Sequence, residues 1–182
     1  MRVGYVLVAL LVFGCAKESQ PKPNGYLRLE YPDANYVTFT SLTNFSIEKN
    51  ALAEVKIKNE VVAPRIVYPG MKATLYLNYS KVENNLDSLL NDAYRLPYKH
   101  ISKAESIPEK IFINKKNKVY GTLFSVVGNA ASQYQFFLTD SIDHFLVGSL
   151  YFYARPNYDS IYPAANYLKK DIIHLMETLQ WK

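Results

Sequence analysis

One cysteine offers the clearest chemistry in this 182-residue chain, because its thiol is a site for lipid attachment. Cys15 is the only cysteine, and the uncharged run 5–13 precedes it after the single positive charge of Arg2. A helix that spans the hydrocarbon core needs about 20 apolar residues, so this short run fits the hydrophobic part of an export signal. Gly14 is the small residue that a signal peptidase accepts at its cut. A lone thiol in an exported protein needs a purpose, and acylation supplies one.

The residues just before the cysteine indicate the kind of modification. The segment 12–15, Val-Phe-Gly-Cys, resembles a bacterial lipoprotein box, in which the cysteine carries acyl chains such as palmitate. Phe13 is bulkier than the residue usual at its position, and the alternative is an ordinary signal peptide with a cysteine that has no role. We expect residues 1–14 to be a lipoprotein signal peptide. Residues 15–25, with two prolines and no large apolar side chain, are expected to be a lipidated N-terminus and flexible tether.

A second group of reactive side chains lies at residues 140–144. Asp140, Ser141, Asp143 and His144 place a hydroxyl, two carboxylates and an imidazole close together in sequence. Hydrolase triads gather such groups from separate segments and hold the nucleophile on a strained turn, which this sequence lacks. We interpret the segment as a polar turn between strands, and a hydrolase built around Asp140, Asp143 and His144 remains an alternative.

The remaining residue types do not indicate a cofactor or metal site. His100, His144 and His174 have no second ligand at a metal-binding spacing, and each is expected to be a surface or capping histidine. None of the seven glycines lies in a phosphate-binding loop, and Gly128 fits a hairpin that needs a positive φ. The sequence therefore predicts a protein that is not an enzyme, with no cofactor and no metal.

Charge and composition limit the kinds of partner and the means of stabilisation that we expect. The formal net charge is +5, and the densest basic group, at 115–118, fits a polar hairpin tip. A nucleic-acid surface needs a sustained basic face, so we expect no nucleic-acid partner. Without a second cysteine there is no disulfide, and packing of 16 Tyr, 9 Phe and 1 Trp must stabilise the domain.

The periodicity of apolar residues predicts a single α+β domain over 26–182. Alternation predicts strands at 26–31, 36–40, 44–48, 53–58, 64–68, 71–79, 105–113, 118–127, 132–139 and 144–154. A helix should begin at Asn84 or Asn85 and stop at Pro97. Apolar residues from Ile161 to Leu179 step by four and three, which predicts a helix over 158–180 that docks on a sheet. We expect a central antiparallel sheet flanked by helices, an order that resembles the Mog1/PsbP α/β/α sandwich.

Two clusters of aromatic and charged residues are candidate partner interfaces, because such residues anchor protein interfaces. Core packing explains them equally well. One lies at the end of the tether and the other where the strand over 144–154 passes into the last helix. Their members are Tyr26, Arg28 and Glu30 in the first, and Tyr151, Tyr153, Arg155 and Tyr158 in the second.

Several blocks of this sequence resemble the GldD gliding-motility lipoproteins of the Bacteroidetes. They run in order through nearly all of the chain after Cys15. The blocks are 21–23 with 25–32, 72–75, 119–124 with 128–133, 150–153 with 155–160, and 174–179.

This resemblance implies a lipid-anchored envelope protein needed for gliding and for the associated type IX secretion machinery. It supplies no active site, and only the acylation of Cys15 carries over to a residue. We expect attachment to the outer membrane by the N-terminal lipid, a domain that faces the periplasm, and other gliding and secretion envelope proteins as partners. The alternative is a periplasmic binding module for cell-wall glycan or a small ligand.

Overall fold

The computed structural model describes residues 29–41, 44–57, 64–155 and 157–182. Predictions for 1–28, which include Cys15, Tyr26 and Arg28, lie outside the described residues. The strands are β1 (Tyr36–Thr40), β2 (Phe45–Asn50), β3 (Glu54–Lys56), β4 (Arg65–Tyr68), β5 (Ala73–Lys81), β6 (Ala104–Ser106), β7 (Glu109–Asn114), β8 (Val119–Ser125), β9 (Val127–Gly128), β10 (Ser132–Thr139), β11 (His144–Phe152) and β12 (Gln180–Trp181). The helices are α1 (Leu86–Tyr98) and α2 (Tyr158–Thr178).

A seven-stranded antiparallel sheet forms the centre, in the order β3-β4-β5-β11-β10-β8-β7. Strand β10 lies inside this sheet, and every one of its residues is buried. The sheet β1-β2-β12 and the two-stranded pair β6-β9 are separate and smaller. The predicted α+β class with an antiparallel sheet is confirmed.

Helices pack on both faces of the central sheet, because successive side chains of a strand point to opposite faces. Phe136 belongs to the larger core cluster with Leu168 and Ile172 of α2, whereas the next residue, Phe137, packs with Ala93 of α1. The docking of the last helix on a sheet is therefore confirmed. We call the two sides of the sheet the α2 face and the α1 face.

The buried side of α2 follows the predicted stripe closely. Ala165, Leu168, Ile172 and Leu175 are all buried, and Asn157 caps the helix by accepting a hydrogen bond from the N–H of Ser160 at 3.3 Å. The small sheet adds to the same core through Phe45 and Ile47 of β2. Hydrophobic packing thus unites α2, the central sheet and β2.

Several predicted boundaries of helices and strands were wrong. The last helix ends at Thr178 rather than 180, because Leu179 is extended and Gln180 pairs with Ser46 of β2. The predicted strand 105–113 is divided into β6 and β7 around Pro108, which has no N–H to donate. Helix α1 includes Pro97 and ends at Tyr98.

Two further predictions concern the beginning of the described chain and a turn. Residues 29–31 are not in a strand, since Tyr31 packs its ring against Tyr167 of α2 at 5.0 Å. Gly128 has φ +122°, as predicted, and a Cβ there would meet the carbonyl oxygen of Lys103 at 2.5 Å. A glycine is therefore required at position 128.

Candidate protein-binding surface

Helix α1 covers only part of its face of the sheet. Its apolar residues pack against Phe124, Phe137 and Phe145, which lie on β8, β10 and the beginning of β11. The register places Tyr76 of β5 between Arg65 of β4 and Ser149 of β11, and alternation puts these three residues on the same face as Phe145. The α1 face is thus open towards β4 and β5.

Three tyrosines and an arginine form a compact group on this open part, which we call the tyrosine cluster: Arg65, Tyr76, Tyr151 and Tyr153. The hydroxyl groups of Tyr76 and Tyr153 are hydrogen-bonded to each other. The rings of Tyr76 and Tyr151 meet edge to face with centroids 5.7 Å apart, and the Arg65 guanidinium carbon lies 5.0 Å from the centroid of Tyr76. Ring contacts and a cation–π contact therefore hold the cluster together.

The cluster carries an unequal pair of phenols. The neighbouring hydroxyls of Thr74 and Tyr76 lower the pKa of Tyr153, and the charges of Arg65 and Lys56 act in the same direction. The hydrogen bond to Tyr153 and burial raise the pKa of Tyr76. The two phenols therefore titrate differently, although their hydroxyl groups are hydrogen-bonded to each other.

This composition suits a protein interface. Tyr and Arg dominate interface hot spots, since they combine a large apolar area with polar ends. Tyr153 is 61% exposed, so its ring is available to a partner. The nearby ion pair of Lys56 and Glu54, at 3.6 Å, is exposed on both sides and contributes little stability.

The structure brings together two of the predicted interface residues and separates others. Tyr151 and Tyr153 lie in the tyrosine cluster, and Arg155 is exposed just beyond it in sequence. Tyr158 begins α2, where its ring contacts Tyr162 at 5.4 Å and its N–H donates to Asn129. Glu30 is exposed.

Sequence reasoning did not select Arg65 or Tyr76. The alternation within residues 71–79 does place Tyr76 on the polar side of a strand, and that was a usable signal. Its proximity to Tyr151 depends on the β5–β11 register, which pairs Thr74 with Tyr151 over a long sequence separation. Only the tertiary structure supplies that register.

The α2 face buries a polar network instead. Asp171 of α2 accepts hydrogen bonds from Tyr36 at 3.0 Å and from the Asn50 amide at 3.0 Å, and Tyr68 also bonds to it. Burial raises the pKa of Asp171, and burial beside this carboxylate raises the pKa of both Tyr36 and Tyr68. The network joins β1, β2 and β4 to α2.

An apolar cleft of about 290 Å³ lies next to this network. Tyr31, Pro32, Leu52, Tyr68, Gly70 and Met71 line it. Tyr68 therefore contacts both the cleft and Asp171.

The polar turn at 140–144 is structural. The carboxylate of Asp140 accepts hydrogen bonds from the N–H groups of Ile142, Asp143 and His144 at 2.9–3.0 Å. Partial burial raises the pKa of Asp140, but these bonds outweigh it and the pKa lies below its usual value. The His144 ring bonds to the Tyr79 hydroxyl at 2.8 Å and stacks on Trp181.

The other two histidines lie in different environments. His174 Nε2 lies 2.7 Å from a carboxylate oxygen of Glu48, and its ring stacks on Tyr36 at 3.6 Å. Burial and the charge of Lys99 lower the pKa of His100. In the part of the chain that the structure describes, no three His, Cys, Asp or Glu side chains gather closely enough to hold a metal ion.

A shallow polar depression lies beside the 140–144 turn. Its volume is about 410 Å³, and its lining residues are Asn117, Lys118, Asp140, Gln180 and Trp181. Neither helix of the described ranges has the length and apolar character that crossing a bilayer requires.

The fold and surface define an α+β domain with a closed face and an aromatic, partly open face. A family model described as "Gliding motility lipoprotein GldD" matches residues 16–181, so this chain belongs to the GldD family of gliding motility lipoproteins. A lipoprotein of this family is expected at a membrane of the cell envelope. Among curated proteins, none matched this chain.

Proposed function

We propose that this chain is a non-enzymatic, lipid-anchored protein that assembles or stabilises the gliding apparatus and its associated type IX secretion machinery. The domain faces the periplasm from the outer membrane, and Cys15 carries the acyl chains. The family match supports this proposal, and it begins at residue 16, directly after Cys15.

The observation that carries the proposal is the tyrosine cluster. A partly exposed group of three tyrosines with an arginine, beside an otherwise packed core, has the composition of a protein-binding hot spot. Asp140, His144 and His174 are engaged in a turn and in packing contacts, so the tyrosine cluster is the stronger basis for a function.

The lipid anchor restricts the tyrosine cluster to partners at the same membrane. Each acyl methylene buried in the membrane contributes roughly 0.8 kcal/mol, so more than one chain makes attachment stable. The domain then meets partners in the same membrane at a raised effective concentration. The tether over 15–25 supplies the reach.

The test is photo-cross-linking in living cells with a photoreactive residue at position 153. We expect an adduct that contains a gliding or secretion envelope protein, and we expect Arg65→Ala to reduce its yield. The matched control is a photoreactive residue at position 142, since Ile142 is also well exposed, at 66%. Equal adducts from both positions, or full motility and secretion in a Tyr153→Ala, Arg65→Ala double variant, would refute the proposal.

The anchor is tested separately. We expect Cys15→Ala to move the protein from the membrane fraction to the soluble fraction. A Cys15→Ala variant that stays membrane-bound and supports gliding would show that the lipid anchor is not the means of attachment.

A cell-wall glycan module is the second candidate, favoured by the depression at Trp181. An aromatic ring next to amides and a carboxylate suits a sugar ligand. Trp181 is the only tryptophan of the chain, so its fluorescence reports on this site directly. Soluble peptidoglycan fragments should change that fluorescence in a saturable way, and an unchanged signal would exclude this candidate.

A further inference from the structure

Strand β7 is a free edge of the central sheet. It pairs with β8 on one side, and no strand of the described residues pairs with its other side. The carbonyl oxygen of Pro108, just before β7, accepts a hydrogen bond from the N–H of Ser125 at 2.9 Å. Along an antiparallel strand, the backbone N–H and C=O groups of successive residues point to alternate sides. The backbone groups of Lys110 and Phe112 therefore point towards β8, like the carbonyl of Pro108. The N–H and C=O groups of Glu109, Ile111 and Ile113 therefore point away from the sheet.

Two of the three side chains at these outward positions are apolar, and both are exposed. Ile111 is 74% exposed and Ile113 is 61% exposed. On the other face of β7, a small cavity of about 40 Å³ lies between Phe112 and Met176. An added strand would cover the isoleucines and place a small side chain over this cavity.

The opposite edge of the sheet shows how an edge is protected. Strand β3 has only three residues, and the charged, exposed side chains of Glu54 and Lys56 flank its centre. Short length and charge both hinder the addition of another strand. Strand β7 has six residues and presents two isoleucines on one face, so it lacks this protection.

The charges around β7 select the kind of strand. Lys110 is exposed, and the turn that follows β7 adds exposed Lys115, Lys116 and Lys118. The single acidic residue of β7, Glu109, accepts a hydrogen bond from the Tyr98 hydroxyl at 3.1 Å. In an antiparallel pair of two copies, the 115–118 turn of one would lie beside Glu109 and Lys110 of the other, so a second copy offers little net complementary charge.

We propose that the outer edge of β7 binds an extended segment of a partner protein as an eighth strand of the central sheet. Small apolar residues occupy every second position of this segment. Acidic residues lie at the end that is beside the 115–118 turn. Backbone hydrogen bonds give the affinity, and the isoleucines and lysines select the sequence. Strands β8 and β10 separate this site from the tyrosine cluster, so it goes beyond the interface proposed above.

The test uses the full chain in detergent micelles and a short synthetic peptide of alternating valine and threonine with glutamates at both ends. The peptide should slow hydrogen–deuterium exchange at the amides of Glu109, Ile111 and Ile113. A matched peptide with lysines at both ends should bind with an affinity at least about tenfold lower, because favourable charge contacts are replaced by repulsion. Unchanged exchange at these amides, or equal binding of both peptides, would overturn the proposal.

A proline substitution separates backbone pairing from side-chain contact. The N–H of Ile111 points outward, so Ile111→Pro removes a donor to the peptide and keeps the bonds from β7 to β8. We expect binding to fall about tenfold, as for a lost hydrogen bond with its acceptor left unpaired. Ile111→Thr keeps both the N–H and the branched shape, and it should bind nearly as well as the natural chain.

Two further results keep the proposal falsifiable. Ile113→Pro is a second variant should Ile111→Pro fail to fold, and equal peptide binding by a folded proline variant contradicts edge pairing. Protection of the three amides by self-association, in the absence of peptide, would assign the edge to a second copy instead. Failure of this test leaves the photo-cross-linking test at position 153 unaffected.

Discussion

Tyrosines have different roles on the two faces of the central sheet. On the α2 face, Tyr36 and Tyr68 are tied to the buried carboxylate of Asp171 beneath a helix. On the α1 face, Tyr76 and Tyr153 bond to each other at the surface. A tyrosine hydroxyl needs a partner in both settings, but on the open face Tyr153 is 61% exposed and leaves its ring available to another protein. The comparison separates residues that stabilise the domain from residues that are free to bind.

The largest expected effect comes from the closed face. Leu168 is fully buried in α2, so Leu168→Ala should lower the free energy of unfolding by about 3 kcal/mol through a cavity in the core. Urea denaturation measures this loss. Tyr153→Ala, at an exposed position, should change it by less than about 1 kcal/mol. Similar losses for the two variants would contradict the division between the faces.

A smaller loss should follow from the buried network. Asn50→Ala removes a donor to Asp171 and the acceptor of the Leu52 N–H, a bond of 3.0 Å. We expect about 2 kcal/mol of destabilisation, because buried polar groups lose their partners. Urea denaturation again provides the measurement, and an unchanged midpoint would show that the network does not support the fold.

The same carboxylate predicts a dependence on pH. Burial raises the pKa of Asp171 above the 3.8 of the unfolded chain, so the folded state holds this proton more tightly. The resulting stability is fully present below pH 3.8 and is lost as the pH rises through the folded-state pKa. The unfolding free energy of the natural chain minus that of Asp171→Asn should therefore decrease over this range. A difference that grows with pH would mean that the pKa is lowered instead.

The smallest effect concerns the open face. The lowered pKa of Tyr153 predicts that phenolate absorbance begins to rise at a lower pH in the natural chain than in Tyr153→Phe. Arg65→Gln removes one of the charges that lower this pKa and should move this part of the titration upward. An ultraviolet pH titration that is identical in all three proteins would show that the cluster does not perturb Tyr153.

Local sequence patterns predicted much of the fold. The strand over 132–139 and the buried stripe of α2 were predicted well, because alternation and helical spacing are properties of neighbouring residues. The end of α2 was not, since Gln180 leaves the helix to pair with β2, far away in sequence. The predicted strand at residues 29–31 was wrong for a similar reason, because Tyr31 contacts α2 instead.

The candidate site was predicted only in part. Tyr151 and Tyr153 were selected by composition, but their neighbours Arg65 and Tyr76 depend on which strands pair. The same limit applies to Asp171, which lies in an apolar stripe and finds its donors on three other elements. Single-sequence reasoning identifies the types of residue at a site more readily than their partners.

The most direct test of the central claim compares the two faces in living cells at equal protein level. A Tyr153→Ala, Arg65→Ala strain should lose gliding and secretion while the purified variant unfolds close to the natural midpoint. An Asn50→Ala strain should keep both activities although its protein is less stable. Normal gliding and secretion in the first strain, or loss of both in the second with the protein still folded, would contradict the assignment of binding to the α1 face.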